Sequence, residues 1–258
     1  MIGIVSRLDK EEAISCARKL VEKLGGNALV EYNLWRILGG LGKPFTIGED
    51  VDTLVVIGGD GTLLRALHYY PQSVRVIGVR VGRRGYYMAF SCDEIVAALN
   101  DLTRLHWCQV LRLAPHRLDY DLVLAPALNE IAVLASKGKV VDLELVVGDN
   151  IRTRINGDGV LVATPTGSYA YNLSARGPLL LSNNNVVITP LNPLKGSEES
   201  SIVVKSCSRI VLKHIGGYRV AWILIDGQLV FPLPIGSAMV ITCGSKVYIA
   251  YPSSCPIT

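Results

Sequence analysis

The chain has 258 residues, of which 50% are hydrophobic and 19% charged, with a formal net charge of +4. That is apolar material for one large domain or two modest ones, and it argues against a chain disordered throughout. The mild positive balance suits a protein that handles anionic metabolites. It falls far short of the dense Lys/Arg patterning of a nucleic-acid binder, so no nucleic-acid partner is expected.

Residues 1–7 are a short apolar run followed by charges, the reverse of a signal peptide, and no stretch has the length and apolarity of a membrane span. A cytoplasmic location with no membrane partner is the resulting expectation. Cys16, Cys92, Cys108, Cys207, Cys243 and Cys255 form no CxxC pair, so no zinc site is expected. They read as buried or surface thiols in a reducing compartment, with a disulfide such as one involving Cys243 and Cys255 left open.

In chain order, residues 2–5 form a β-rich run, and residues 10–24 carry apolar residues at helical spacing up to the stop Gly25-Gly26. Residues 29–38 read as a second helix ending at Gly39-Gly40. Residues 53–57 are a continuous β-branched run, as in a strand covered on both faces, and residues 63–70 resume a helical pattern. A strand over 74–79 and a helix over 93–105, capped by Ser91 or Asp93, complete an alternation that predicts a parallel, Rossmann-like α/β sheet. Near Trp107 the period changes. Strands are expected over 107–118, 130–135, 140–147 and 151–155, with a tight turn at Gly148-Asp149-Asn150. A strand over 160–163 and a short helix over 168–175 follow. Further strands are expected over 186–189, 201–204, 209–213, 219–225, 228–231, 238–242 and 246–250. The prediction is an α/β domain over 1–105 and an all-β, sandwich-like domain over 106–258, with the C-terminal tail free to return to the first.

Three motifs carry chemistry. In the first, a buried strand runs into Gly58-Gly59-Asp60-Gly61-Thr62 and a helix starts at once. Such a loop exposes backbone N–H groups beside a helix N-terminus and suits phosphate. Asp60 then reads as a general base or a magnesium ligand, or else as the N-cap of a plain strand-to-helix turn. The second motif is Asn129-Glu130, which can bond two ribose hydroxyls or a base edge, or be an exposed polar pair at a strand start. The third runs from Asp158 to Ser174 through the hydroxyl-rich turn Thr164-Pro165-Thr166-Gly167-Ser168. Its hydroxyls and free N–H groups suit polar ligand edges, and Tyr169 and Tyr171 suit a planar base; an ordinary capped helix is the alternative.

Together these strings resemble the NAD kinase family, which carries GGDGT, a later Asn-Glu pair, DG followed by TPTGS-x-AY, and a late DGQ, here Asp226-Gly227-Gln228. The resemblance covers residues 53–240 and is weak over the first fifty. It implies an N-terminal α/β domain, a C-terminal β domain and NAD bound between them. It further implies transfer of the γ-phosphoryl group of ATP, or of inorganic polyphosphate, to the 2′-hydroxyl of the adenosine ribose, with a divalent cation, Mg²⁺. By that resemblance Asp60 is the proton acceptor, Gly61 lies at the diphosphate and Arg65 supplies a basic group. Asn129, Glu130, Lys139, Asn156, Asp158 and Gln228 match NAD contacts. Tyr169, Ala170, Tyr171, Asn172, Leu173 and Ser174 match the segment lining adenine and ribose. A homodimer or homotetramer is implied as well.

This chain departs from the family's pattern in three places. Tyr169 replaces the usual threonine. Arg83 and Arg84 read as phosphate contacts or a solvated turn. The string over 189–193 lacks the histidine of many members, so no ligand role is carried there. Two rival readings are a lipid kinase of the diacylglycerol kinase type and a non-catalytic dinucleotide sensor. In the lipid kinases Asn-Glu follows the glycine loop directly, whereas Leu63-Leu64-Arg65 follows it here.

Overall fold

A computed structural model describes residues 1–258 apart from Pro71, Arg83, Arg84, Asn100, Lys137 and Thr258, so the arginine pair singled out above lies outside the described residues. The chain divides into two compact units, residues 1–110 with 246–256, and residues 111–245 with 257–258.

The first unit is built on a seven-stranded sheet. Its strands are β1 (Ile2–Ser6), β2 (Ala28–Glu31), β3 (Lys43–Phe45), β4 (Thr53–Gly58), β5 (Val74–Arg80), β6 (His106–Val110) and the last strand of the chain, β19 (Val247–Tyr251). The order is β3-β2-β1-β4-β5-β19-β6, parallel throughout except where β6 pairs antiparallel with β19. β4 is buried along its whole length, as its β-branched run requires. Helix α1 (Glu11–Leu24) buries Ala13, Cys16, Ala17, Leu20 and Val21 on one face, and Gly25 ends it at φ +61. Helices α2 (Tyr32–Ile37), α3 (Asp60–Leu67) and α4 (Cys92–Ala98) follow; Ser91 and Glu94 form a capping box on α4.

The second unit is all β. One six-stranded antiparallel sheet joins β7 (Leu113–Arg117), β8 (Leu122–Val123), β10 (Val141–Val147), β11 (Ile151–Gly157), β15 (Ile210–Gly217) and β18 (Ala238–Cys243) in the order β11-β10-β15-β18-β7-β8. The other joins β9 (Glu130–Leu134), β12 (Gly159–Ala163), β13 (Asn185–Leu191), β14 (Ile202–Lys205), β16 (Val220–Ile225) and β17 (Leu229–Pro234) in the order β14-β13-β12-β9-β16-β17. Leu143, Leu145, Leu212 and Met239 of the first share one core with Val133, Val162, Ile188 and Ile223 of the second. The short helix α5 (Tyr171–Ser174) follows a 3₁₀ turn over Gly167–Tyr169.

Both fold classes read from the sequence hold; several elements differ. Residues 29–38 are not one helix: β2 occupies the start, pairing parallel with β1, and the side chain of Glu31 then caps α2 by accepting the N–H groups of Asn33 and Leu34 at 3.0 Å. Residues 107–118 are two strands in two sheets. Helix α4 stops at Ala98, and a 3₁₀ turn over Leu102–Arg104 takes the rest. The cysteines are not thiols. Cys16 pairs with Cys92, Cys108 with Cys255 and Cys207 with Cys243, at Cα separations of 5.7, 5.5 and 4.9 Å. Cys243 and Cys255 therefore belong to different bridges.

Candidate active site

In the first unit β4 delivers the chain to Gly58, and α3 begins two residues later. A Cβ on Gly58 would lie 2.6 Å from the Thr62 hydroxyl, so this tight turn needs glycine. The N-cap of α3 is Gly59; Asp60 is the first helical residue and caps nothing. Instead its carboxylate accepts the backbone N–H of Tyr86 at 2.8 Å on Oδ2 and that of Tyr87 at 2.9 Å on Oδ1. Gly85 allows that approach, because a Cβ there would fall 2.7 Å from Asp60 Oδ1. Gly59, Gly61, Thr62 and Arg65 line a cavity of about 690 Å³ with Arg7 and Glu31. Arg7 forks onto Asp9 at 2.5 and 2.7 Å, which holds the Asp9 carboxyl at about 2. Arg65 is exposed and makes no hydrogen bond or ion pair with a described residue. Tyr251 is 7% exposed, and its hydroxyl has no hydrogen-bond partner among the described residues. Burial, and then the charges of Tyr86 and Asp60, push that phenol above its ordinary value.

In the second unit the Asn-Glu pair and the TPTGS turn are brought together. Thr164 donates its N–H to the Asn129 carbonyl at 2.9 Å and its hydroxyl to the Leu128 carbonyl at 2.6 Å. Thr166 reaches the same Leu128 carbonyl at 3.4 Å. A Cβ on Gly167 would collide with the Asn129 carbonyl oxygen. The hydroxyls of Thr164, Thr166 and Ser168 are buried and engaged by protein, so this turn clamps the strand that carries Asn129 and Glu130. Asn129 is half-buried and Glu130 is 6% exposed, with no partner for its Oε2 among the described residues. Burial, and then the charge of Asp226, push the Glu130 carboxyl up to about 8, against a lowering by the Tyr171 N–H.

Lys139, Asp158, Tyr171 and Ser174 meet around a separate cavity of about 540 Å³, with Arg176 and Asn192. Asn192 donates to the Asp158 carboxylate at 2.8 Å. Tyr171 and Leu173 are exposed, Tyr169 and Ala170 half-buried. Asn172 faces inward. Its amide donates to the Ser168 and Pro178 carbonyls at 3.3 and 3.0 Å and accepts the Thr189 hydroxyl at 2.7 Å, so it supports the segment from within. Asn156 is on β11, with its Oδ1 buried and unpartnered among the described residues, and Gln228 is half-buried at the start of the β17 hairpin arm.

Sequence reasoning did not single out Arg7, Asp9, Arg112, Arg176, Asp226 or Tyr251. Arg112 had a signal, a lone cation inside the apolar run over 110–114. Asp226 sits in the DGQ string, where the resemblance assigns a contact to Gln228 alone. Arg176 adopts φ +61, which no composition signal marks. Among the described residues no group of three or more His, Cys, Asp or Glu side chains is placed to hold a metal ion. No helix among them is long and apolar enough to cross a membrane.

Two family models match, that of the ATP-NAD kinase N-terminal domain over residues 44–106 and that of the ATP-NAD kinase C-terminal domain over residues 128–252. The NAD kinase of Thermococcus kodakarensis is 33% identical over 236 residues, covering 88% of this chain and 84% of its own. That of Symbiobacterium thermophilum is 31% identical over 263 residues, covering 96% and 91%. Yeast NADH kinase, solved with NADH, shares the fold with a TM-score of 0.86 at 21% identity, over 98% of this chain and 83% of that one. An NAD kinase from Archaeoglobus fulgidus, solved with ATP, shares it at 0.71 and 24% identity, over 96% and 93%. With both domain models matched in order and relatives about one-third identical over most of their length, this chain belongs to the NAD kinase family.

Proposed function

We propose that this chain phosphorylates the 2′-hydroxyl of the adenosine ribose of NAD, with ATP as donor, to give NADP. The observation that carries the reading is the carboxylate of Asp60. It stands at the carboxyl end of a buried parallel strand, beside a glycine turn, with each oxygen held by one backbone N–H. A carboxylate oxygen has lone pairs to spare after accepting one hydrogen bond, so Asp60 keeps basic capacity while its orientation is fixed.

In this reading Asp60 takes the proton of the ribose hydroxyl as that oxygen bonds to the γ-phosphorus, and the bond to the β-phosphate oxygen breaks to release ADP. General-base assistance of this kind is worth about 10²–10⁴-fold. Arg65 and the first-turn N–H groups of α3 meet the donor's phosphates. Asn129 and Glu130 hold the dinucleotide, and Lys139, Asp158, Tyr171 and Ser174 line its second subsite. A divalent cation such as Mg²⁺ would be held mainly by the donor's phosphates, since no group of three or more His, Cys, Asp or Glu side chains among the described residues is placed for one, and it would supply neutralisation of phosphate charge. Support for ATP as donor comes from the ATP-bound relative and the family models. Inorganic polyphosphate offers the same phosphoryl chemistry. Assembly as a homodimer or homotetramer belongs to the same reading, and light scattering would check it.

A coupled assay for NADP formation tests the function directly. NADP should accumulate with NAD, ATP and Mg²⁺, and parallel runs with polyphosphate and with a diacylglycerol acceptor separate the alternatives. Binding of NAD without any NADP formed would overturn the reading in favour of a sensor.

A further inference from the structure

Asp226 lies in the tight turn between β16 and β17, at φ +50, a conformation uncommon for a residue with a side chain. It is 6% exposed. Its Oδ1 accepts the N–H of Asn129 at 2.7 Å and that of Glu130 at 3.2 Å, and its Oδ2 accepts the N–H of Leu128 at 2.9 Å. Its own N–H donates back to the Glu130 carbonyl at 3.0 Å. One carboxylate thus gathers three consecutive amides from a segment nearly a hundred residues away in sequence. Behind it Arg112 is wholly buried. Its Nε donates to the Ser245 carbonyl at 2.9 Å and its Nη2 to the Ser245 hydroxyl, while the charge of Asp226 offsets part of the cost of burying its guanidinium.

A left-handed, buried, charged residue is a costly way to close a hairpin; an uncharged turn would serve the fold alone. What this one does is fix the peptide planes on both sides of Asn129, and therefore the directions in which the Asn129 and Glu130 side chains leave the backbone. We propose that Asp226 is a positioning residue for the dinucleotide: it acts through Asn129 and Glu130, setting their side chains against the adenosine portion of NAD. This rests on the reading of that pair as the NAD-binding pair. From the other side, Thr164 and Gly167 press on the Asn129 carbonyl, so the strand entry is gripped on both its N–H and its carbonyl edges.

The test is a double-mutant cycle on the full chain, read as KM for NAD, KM for ATP and kcat. Asp226→Asn keeps the shape but turns one accepting oxygen into a donor that confronts an N–H. The KM for NAD should rise roughly tenfold, one lost hydrogen bond's worth of alignment, with the KM for ATP unchanged. In a background already carrying Asn129→Ala and Glu130→Ala, adding Asp226→Asn should change the KM for NAD less than twofold, because nothing remains to be positioned. A turn holding only the fold together would give equal effects in both backgrounds, or move both KM values, and either result overturns the proposal. If the Asn129→Ala, Glu130→Ala background itself leaves the KM for NAD unchanged, the NAD-binding reading of the pair fails, and the positioning claim with it. Should Asp226→Asn not fold, Asp226→Glu, which keeps the charge and displaces the oxygens, runs the same cycle.

Discussion

Glu130 carries a carboxyl that burial, and then the charge of Asp226, push up to about 8 from an ordinary 4.5. The folded protein therefore holds a proton that the unfolded chain has released between those two values. The stability this contributes is fully present below pH 4.5 and is lost as pH rises through 8, at a slope of at most about 1.4 kcal/mol per pH unit. Glu130→Gln, which cannot ionise, should flatten that fall; urea denaturation of both proteins at pH 5, 7 and 9 checks it. A wild-type profile as flat as the variant's would mean that Glu130 ionises normally in the fold. A protonated Glu130 also offers a hydrogen-bond donor at neutral pH, which changes what it can do for a ligand oxygen or ring nitrogen. Nothing in the sequence indicates this, because burial, the larger cause, comes with the tertiary fold, and the second, the Asp226 charge, arrives from a distant hairpin.

At the scale of elements, the turn after β12 explains why the motif needs glycine. Gly167→Ala drives a methyl into the Asn129 carbonyl, and the strand entry must shift to admit it. A loss of about 1–3 kcal/mol of stability is expected, with a raised KM for NAD. Unchanged melting would show that the contact is slack. The run of strand, glycine loop and helix around Asp60 is legible from the sequence, because the buried strand is unbroken in its β-branching and the glycines follow immediately. The strand β2 is not. It is four residues long, passes into α2 with no Gly or Pro between, and its apolar residues fit a helical period equally well. What holds Asp60 and what holds Asn129 are equally hidden. The amides of Tyr86 and Tyr87 come from 26 and 27 residues away, and the Asp226 carboxylate from 96 to 98. A single sequence shows the motif residues and leaves out the groups that orient them.

At the scale of the whole molecule, three bridges tie the chain, closing separations of 76, 147 and 36 residues. Each should contribute about 2–4 kcal/mol by restricting the unfolded chain; the loop over 207–243 is nested inside that over 108–255, so these two contribute less than the sum of their separate effects, while the loop over 16–92 stands apart. Reduction with dithiothreitol should lower the melting temperature markedly, and thiol titration of the unreduced, denatured protein should find no reactive cysteine. Six reactive thiols would contradict the pairing. The first unit carries Asp60 and the glycine turn, the second carries Asn129, Glu130 and the Lys139–Asp158 cavity; catalysis as proposed asks the first to activate and the second to bind. That division can be tested at one atom. In Asp60→Asn the amide keeps the size of the side chain but cannot take a proton, and its NH₂ must face the N–H of Tyr86 or Tyr87, so kcat for NADP formation should fall by about 10²–10⁴-fold or more, while the Kd for NAD by calorimetry stays within a few-fold of the wild type. A variant that keeps near wild-type kcat would contradict the assignment of Asp60 as the base.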